Sequence, residues 1–137
     1  MSVAPPSGAR AVLASRLAAV AGRSTCRLTH YGRRTGKPYE VTIWFMVDGD
    51  AIYLGSANVR RQWTRNVRKK PRVLIHAGGE RFEGDVTPVT DAAERAHAER
   101  LLLAKYWYMR PLLWLAQTLE QWGWASRSGY FRVTLLD

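Results

Sequence analysis

The segment Val41-Thr42-Ile43-Trp44-Phe45-Met46-Val47 runs into Asp48-Gly49-Asp50 and then into a second apolar run, Ala51-Ile52-Tyr53-Leu54-Gly55-Ser56. Side chains on a strand alternate between faces, so Val41, Ile43, Phe45 and Val47 share one face and Thr42, Trp44 and Met46 the other. An Asp-Gly turn between two such runs signals a β-hairpin. The pattern recurs where residues 72–77 and 81–89 flank Gly78-Gly79, and residues 25–31 and 130–136 read as further strands. Helical stretches separate them. Residues 11–21 carry Val12, Leu13, Leu17 and Val20 on one side, and residues 59–70 follow a capping Asn58 and stop at Pro71. Asp91-Ala92-Ala93-Glu94 gives an acidic start to a helix reaching about Tyr106, and a tryptophan-rich helical segment comes next. Strands arriving as successive hairpins, with short helices between, predict an α+β fold built on an antiparallel barrel rather than a doubly wound sheet.

At 137 residues and 47% hydrophobic, the chain suffices for one domain, taken as 9–137, after a loose tail over 1–8 that holds Pro5, Pro6 and Gly8. The formal charge of +10 and pI near 10.5 call for an acidic partner: nucleic acid, an anionic membrane surface or a polyanionic small molecule. Cys26 is the only cysteine, which excludes a disulfide framework and reads as a small core residue. His30, His76 and His97 lack metal-ligand spacing, so no metal site is expected, and there is no nucleophile elbow or carboxylate pair. Arg16 interrupts the one stretch resembling a signal peptide. Arg110, Pro111 and Gln117 break residues 109–119, which are too short to span a bilayer. A cytoplasmic protein is expected.

Two features carry chemistry. Gly32-Arg33-Arg34-Thr35-Gly36-Lys37 is a cationic turn hinged by glycines, suited to a phosphate or a string of carboxylates, although a solvated hairpin turn fits it equally. It is not a nucleotide P-loop, because the glycine spacing differs and Pro38 and a strand follow the lysine. Beyond it, Val59, Trp63 and Val67 fall on one helical stripe with Asn66 beside them, while Arg60, Arg61, Arg65, Arg68, Lys69 and Lys70 cover the other faces. An aromatic plane, an amide and guanidinium groups together suit a flat anionic ligand. Taken alone, the same helix reads as a core-facing Trp on a basic surface.

The ordered set resembles the deazaflavin-dependent nitroreductase family of split β-barrel flavin/deazaflavin oxidoreductases. That family shows GRKSGKxRxTPLWY, a DGD turn with its strand, and WYHNLxxNPxVxV. This chain has GRRTGKPYEVTIWF, DGD, AIYLGS and WTRNVRKKPRVLI, over roughly residues 25–106. It departs from the pattern at Tyr39, where an arginine is usual, and at Val41-Thr42-Ile43 in place of TPL. The segment between Ser56 and Trp63 is short, and Trp107, Trp114, Trp122 and Trp124 have no counterpart.

The resemblance implies a barrel of the FMN-binding split type with flanking short helices. It also implies coenzyme F-420, a deazaflavin with a phosphate and an oligoglutamate tail, as cofactor. Arg33, Arg34, Thr35, Gly36 and Lys37 would hold the tail, with Ile43, Trp44, Ser56, Arg61, Trp63 and Asn66 around the ring. Hydride would pass to a quinone, nitroaromatic or activated alkene, with Ser56 and Tyr130 as candidate proton donors beside solvent. FMN, with one phosphate, has less use for so many cations. The alternative is a non-catalytic or FMN-type ligand-binding barrel. Nucleic acid is disfavoured, because the aromatics fall at helical spacing rather than on a strand face. A homodimer, and association with the inner face of a membrane through the basic surface and first helix, are compatible partners.

Overall fold

In the computed structural model, which describes residues 8–56, 61–122 and 129–136, the chain passes from one edge of its sheet to the other through a single residue. The strands are β1 (Cys26–Tyr31), β2 (Pro38–Ile43), β3 (Phe45–Asp48), β4 (Ala51–Ser56), β5 (Arg72–Ala77), β6 (Glu80–Pro88) and β7 (Gly129–Leu135). They pair antiparallel in the order β2-β1-β5-β6-β7-β4-β3. β2 and β3 thus sit at opposite edges, yet only Trp44 separates them. A strand hydrogen-bonded to β1 in its first half and β4 in its second forces the sheet to curl until its edges meet. The result is an antiparallel split β-barrel.

Alternation along the strands sorts the side chains into two cores. Leu28, Ile43, Phe45, Leu54, Ile75 and Phe131 fill the barrel, with Val41 and Val47 packed against them. Met46, Tyr53 and Tyr130 lie on the outer face, with Trp44 packed against their cluster. Both faces of the 41–47 strand are as its period predicts. Gly78 and Gly79, at φ 53° and 84°, make the tight β5–β6 turn that needs positive φ at both central positions.

Helix α1 (Gly8–Val20) closes one mouth of the barrel, inserting Leu13, Leu17 and Val20. Arg10 donates to the Leu135 carbonyl, and Arg16 pairs with Glu80 at 2.9 Å. Two expectations change here. Gly8 belongs to the helix rather than to a tail, and Val12 is 60% exposed because the docked stripe runs through 13, 17 and 20. Helix α2 (Gln62–Lys69) lies at the other mouth, with Trp63 and Val67 in the barrel core. The expected cap Asn58, and Val59, Arg60, Trp124 and residues 1–7, lie outside the described residues.

Helix α3 (Ala92–Lys105), capped by the Asp91 carboxylate accepting from the Glu94 N–H, covers the outer face. Glu94 accepts from the Tyr53 hydroxyl at 2.8 Å and from Arg132. At its far end Tyr106 is fully buried and stacks on Trp44 at 4.6 Å and 14°. Its hydroxyl donates to the Ser24 carbonyl at 2.6 Å and accepts from the Phe45 N–H at 3.4 Å. Lys105 donates to the Phe45 carbonyl at 2.7 Å, and burial lowers its pKa to about 8. Helix α4 (Arg110–Gln121) follows a short 3-10 turn, Trp107–Met109. Among the described residues no helix is long and apolar enough to cross a membrane.

Gly84 has no room for a side chain, since a Cβ there would lie 2.5 Å from the Thr134 carbonyl oxygen. Gly84→Ala is expected to cost about 1–3 kcal/mol of stability, whereas Gly55→Ala, whose Cβ would meet only the Tyr130 ring at 3.8 Å, should lie within about 0.5 kcal/mol of wild type. Tyr106→Phe should cost about 1–3 kcal/mol by stranding the Ser24 carbonyl and Phe45 amide. Denaturant unfolding of the three variants checks all three values.

Candidate functional site

The turn joining β1 to β2 is held closed from within. Gly32 N–H donates to the Lys37 carbonyl and Gly36 N–H to the Gly32 carbonyl, both at 2.9 Å. Gly36 sits at φ 72°, a conformation costly for residues with a Cβ. At Gly32 the demand is space, because a Cβ would stand 3.0 Å from Thr35 Oγ1 and 3.2 Å from the Tyr39 ring. The turn exposes Arg34, Thr35 and Lys37.

Arg33 points the other way, into a buried clamp. Its Nη1 donates to Asn66 Oδ1 at 2.7 Å and its backbone N–H to the same oxygen at 3.3 Å. With Oδ1 thus an acceptor, Asn66 Nδ2 is the donor to His30 Nδ1 at 3.0 Å, so the His30 proton sits on Nε2. Asn66 and His30 are 1% and 3% exposed. The His30 ring stacks on Tyr39 at 5.8 Å, and its pKa is lowered by burial. α2 adds a further cation: Lys70 Nζ lies 3.1 Å from where a Gly36 Cβ would stand. Arg33, Arg34, Lys37 and Lys70 therefore gather at one end of the barrel, and no described carboxylate forms a salt bridge with any of them. Such a cluster repels itself and favours an anion.

The other expected ring residues do not join this surface as side chains. Trp63 is 3% exposed and packs on Phe131 at 5.3 Å inside the barrel, so its stripe is a core stripe and no open aromatic plane. Ile43 is buried in the same core, and Trp44 lies on the opposite face against Tyr106. Arg61 is exposed at the start of α2. Ser56 and Tyr130 are separated by the sheet. Tyr130 opposite Gly55 faces the outer cluster beneath α3, whereas Ser56 is one residue out of phase and points to the inner side. Burial pushes the Tyr130 hydroxyl up to about 12. His30 and Lys70 are the members that spacing did not single out. A cavity of about 470 Å³ lined by Arg23, Arg27 and His76 opens at the far end of β1 and is separate from this surface.

Residues 11–109 match the family model described as F420H(2)-dependent quinone reductase. The chain belongs to that family. Its members are F-420-dependent reductases, in accord with the deazaflavin resemblance of the basic turn and the helix after it. Among solved structures, an F420-H2-dependent reductase is similar at 20% identity, with a TM-score of 0.65 over 82% of this chain and 95% of that one. A conserved hypothetical protein of Mycobacterium tuberculosis is similar at 18% identity and TM-score 0.66, covering 90% and 80% of the two chains. General Stress Protein 26 of Bacillus anthracis follows at 15% identity and TM-score 0.59, covering 90% and 88%. At these identities the likeness establishes the fold. Comparison with curated proteins returns no match.

The clamp predicts a pH dependence. Burial holds His30 neutral in the fold, with its pKa below the ordinary imidazole value of about 6.5, so the unfolded chain binds its proton more readily. Its contribution is present above about pH 6.5 and is lost as pH falls through the folded value. Protonation also sets an N–H against the Asn66 amide. Thermal melts between pH 7.5 and 5 should fall more steeply for wild type than for His30→Gln, which keeps an acceptor without titrating. Asn66→Ala should cost about 1–3 kcal/mol at neutral pH by stripping Arg33 and His30 of their partner.

Proposed function

We propose that the protein binds reduced coenzyme F-420 at the basic turn and uses it to reduce a small electrophile of the quinone class. The observation that carries this reading is the gathering of Arg34, Lys37 and Lys70 where the β1–β2 turn, held through Arg33 by a buried clamp, meets the end of α2. The donor set fits the cofactor's tail, a phosphate followed by carboxylates, because three cations from two segments, with Arg33 behind them in the clamp, match several anionic groups in series. When bound, F-420 supplies hydride from carbon 5 of its ring.

The chain's own residues do the rest. Arg34, Lys37 and Lys70 bind the anionic tail, and charge-assisted hydrogen bonds of this kind contribute roughly 1.5–3 kcal/mol where water is partly excluded. Asn66 and His30 act as positioning residues, holding Arg33 and through it the turn. Trp63 beds α2 in the barrel, so its influence on catalysis is indirect. β2 is an edge strand paired only with β1 among the described residues, which leaves its outer backbone near Ile43 and Trp44 as the support for a flat ring. Ser56, on the inner side, is the better of the two proton-donor candidates, and Tyr130 is set aside by its burial beneath α3. Solvent serves as the alternative proton source. Nitroaromatics and activated alkenes are further acceptors within the same chemistry.

The test is a parallel fluorescence titration. F-420 is expected to bind at least about tenfold tighter than FMN, a difference of roughly 1.4 kcal/mol, with an advantage that grows with glutamate number and shrinks with added salt. Arg34→Ala or Lys37→Ala should weaken F-420 binding by about 1–3 kcal/mol and leave the melting temperature nearly unchanged, since both side chains are exposed. Equal affinity for the two cofactors would favour the FMN-type reading.

A further inference from the structure

Helix α4 buries none of its residues. A helix of this length is marginal in water on propensity alone and takes its stability from packing. Its N-cap, Met109, supplies no side-chain hydrogen bond. The inward side makes only partial contact, through Met109 and Leu113 against the outer cluster and through Gln117 donating to Glu99 at 2.8 Å.

The outward side is apolar and ordered. Tyr108, Leu112, Leu115, Leu119 and Trp122 follow one another at spacings of 4, 3, 4 and 3, the period of a helix–helix seam. Tyr108, Leu112, Leu115 and Trp122 are 56%, 59%, 48% and 65% exposed. Trp107 and Trp114, at 66% and 68%, widen the patch on one side. Aromatic side chains carry about 150–250 Å² each, so the four aromatics alone leave on the order of 500 Å² in contact with water. That approaches the largest patch found on ordinary monomers, about 300–600 Å². With the leucines added, it reaches the scale of one side of a standard interface, about 800 Å².

We propose that this face is a homodimer interface, in which two copies of the chain pack their α4 stripes against each other about a two-fold axis. Charge favours a second copy as the occupant. The chain carries +10 overall, so two copies repel over most of their surfaces, but 107–122 holds one arginine and one glutamate and is neutral. An isologous contact needs a patch complementary to itself, and an uncharged apolar stripe meets that condition. A lipid surface would call for a basic fringe beside the apolar face. The stripe is instead flanked by Pro111, Ala116 and Thr118, and the helix sets a single cation, Arg110, beside Trp107 and Trp114.

Sedimentation at micromolar concentration tests this. Wild type should run at twice the 15.5 kDa chain mass, and the double variant Leu112→Glu/Leu115→Glu at the chain mass, with the dissociation constant raised at least about a hundredfold. Independently of how the charged variant folds, Leu115→Cys should cross-link two copies under mild oxidation, while Thr87→Cys on exposed β6 should not; Cys26 is buried and does not interfere. A monomeric wild type, whether or not it floats with anionic vesicles, overturns the proposal. So does a dimer that survives the double variant and resists cross-linking at 115.

Discussion

The whole structure depends on the handover at Trp44, where one strand leaves β1 and joins β4. A strand that changes partners must expose backbone groups at the change, and unpaired buried amides are costly. The end of α3 meets that demand: the Tyr106 hydroxyl takes the Phe45 N–H and Lys105 caps the Phe45 carbonyl. The same hydroxyl reaches back to Ser24, tying the segment before β1 to the seam. Barrel closure therefore rests on a helix far away in sequence, and the Trp44–Tyr106 stack keeps that helix end in register with the handover.

The candidate site inherits its rigidity from this closure in steps. Closing the barrel creates the inner core into which Trp63 and Val67 anchor α2. α2, so anchored, presents Asn66 to His30 on β1, and Asn66 grips Arg33 at the start of the turn. The exposed cations thus extend from a backbone that is fixed before any ligand arrives. Preorganisation of this kind lowers the ordering cost of binding. A mutation in the barrel core, at Trp63 for one, weakens ligand binding without touching the ligand.

What the sequence made legible follows from range. Period-two alternation over 41–47, the Asp48-Gly49-Asp50 turn and the acidic helix start at Asp91-Ala92-Ala93-Glu94 are local patterns, and all appear where they were expected. The basic turn was equally visible, because its glycines and cations are contiguous. The stripe of Trp63 and Val67 was seen correctly as one face, but spacing alone does not say whether that face meets a core or a ligand. Only the barrel mouth decides it. Val12 fails for a similar reason, since a helix of small residues leaves its docked side to tertiary contact. The His30–Asn66–Arg33 clamp joins residues more than thirty positions apart, and the Gly84 constraint comes from Thr134 on β7. No local pattern encodes either.

The placement of acids sets the turn apart from much of the basic surface. Asp50 pairs with Arg10, Glu80 with Arg16, Glu40 with Arg27, Glu83 and Asp85 with Arg72, and Glu94 with Arg132. These pairs are mostly exposed, so each contributes little to stability. Their larger effect is on the field. They neutralise Arg10 and Arg16 on α1, Arg27 and Arg72 on β1 and β5, and Arg132 on β7, while between Arg60 and Lys70 there is no acid at all. Positive charge therefore goes uncompensated where the β1–β2 turn meets the end of α2, and its potential falls off over about a Debye length of 8–10 Å at physiological salt. On the proposed reading, a polyanion is drawn to that end of the barrel by the absence of competing carboxylates as much as by the number of cations, whereas the α4 segment, with one arginine and one glutamate, exerts no such pull.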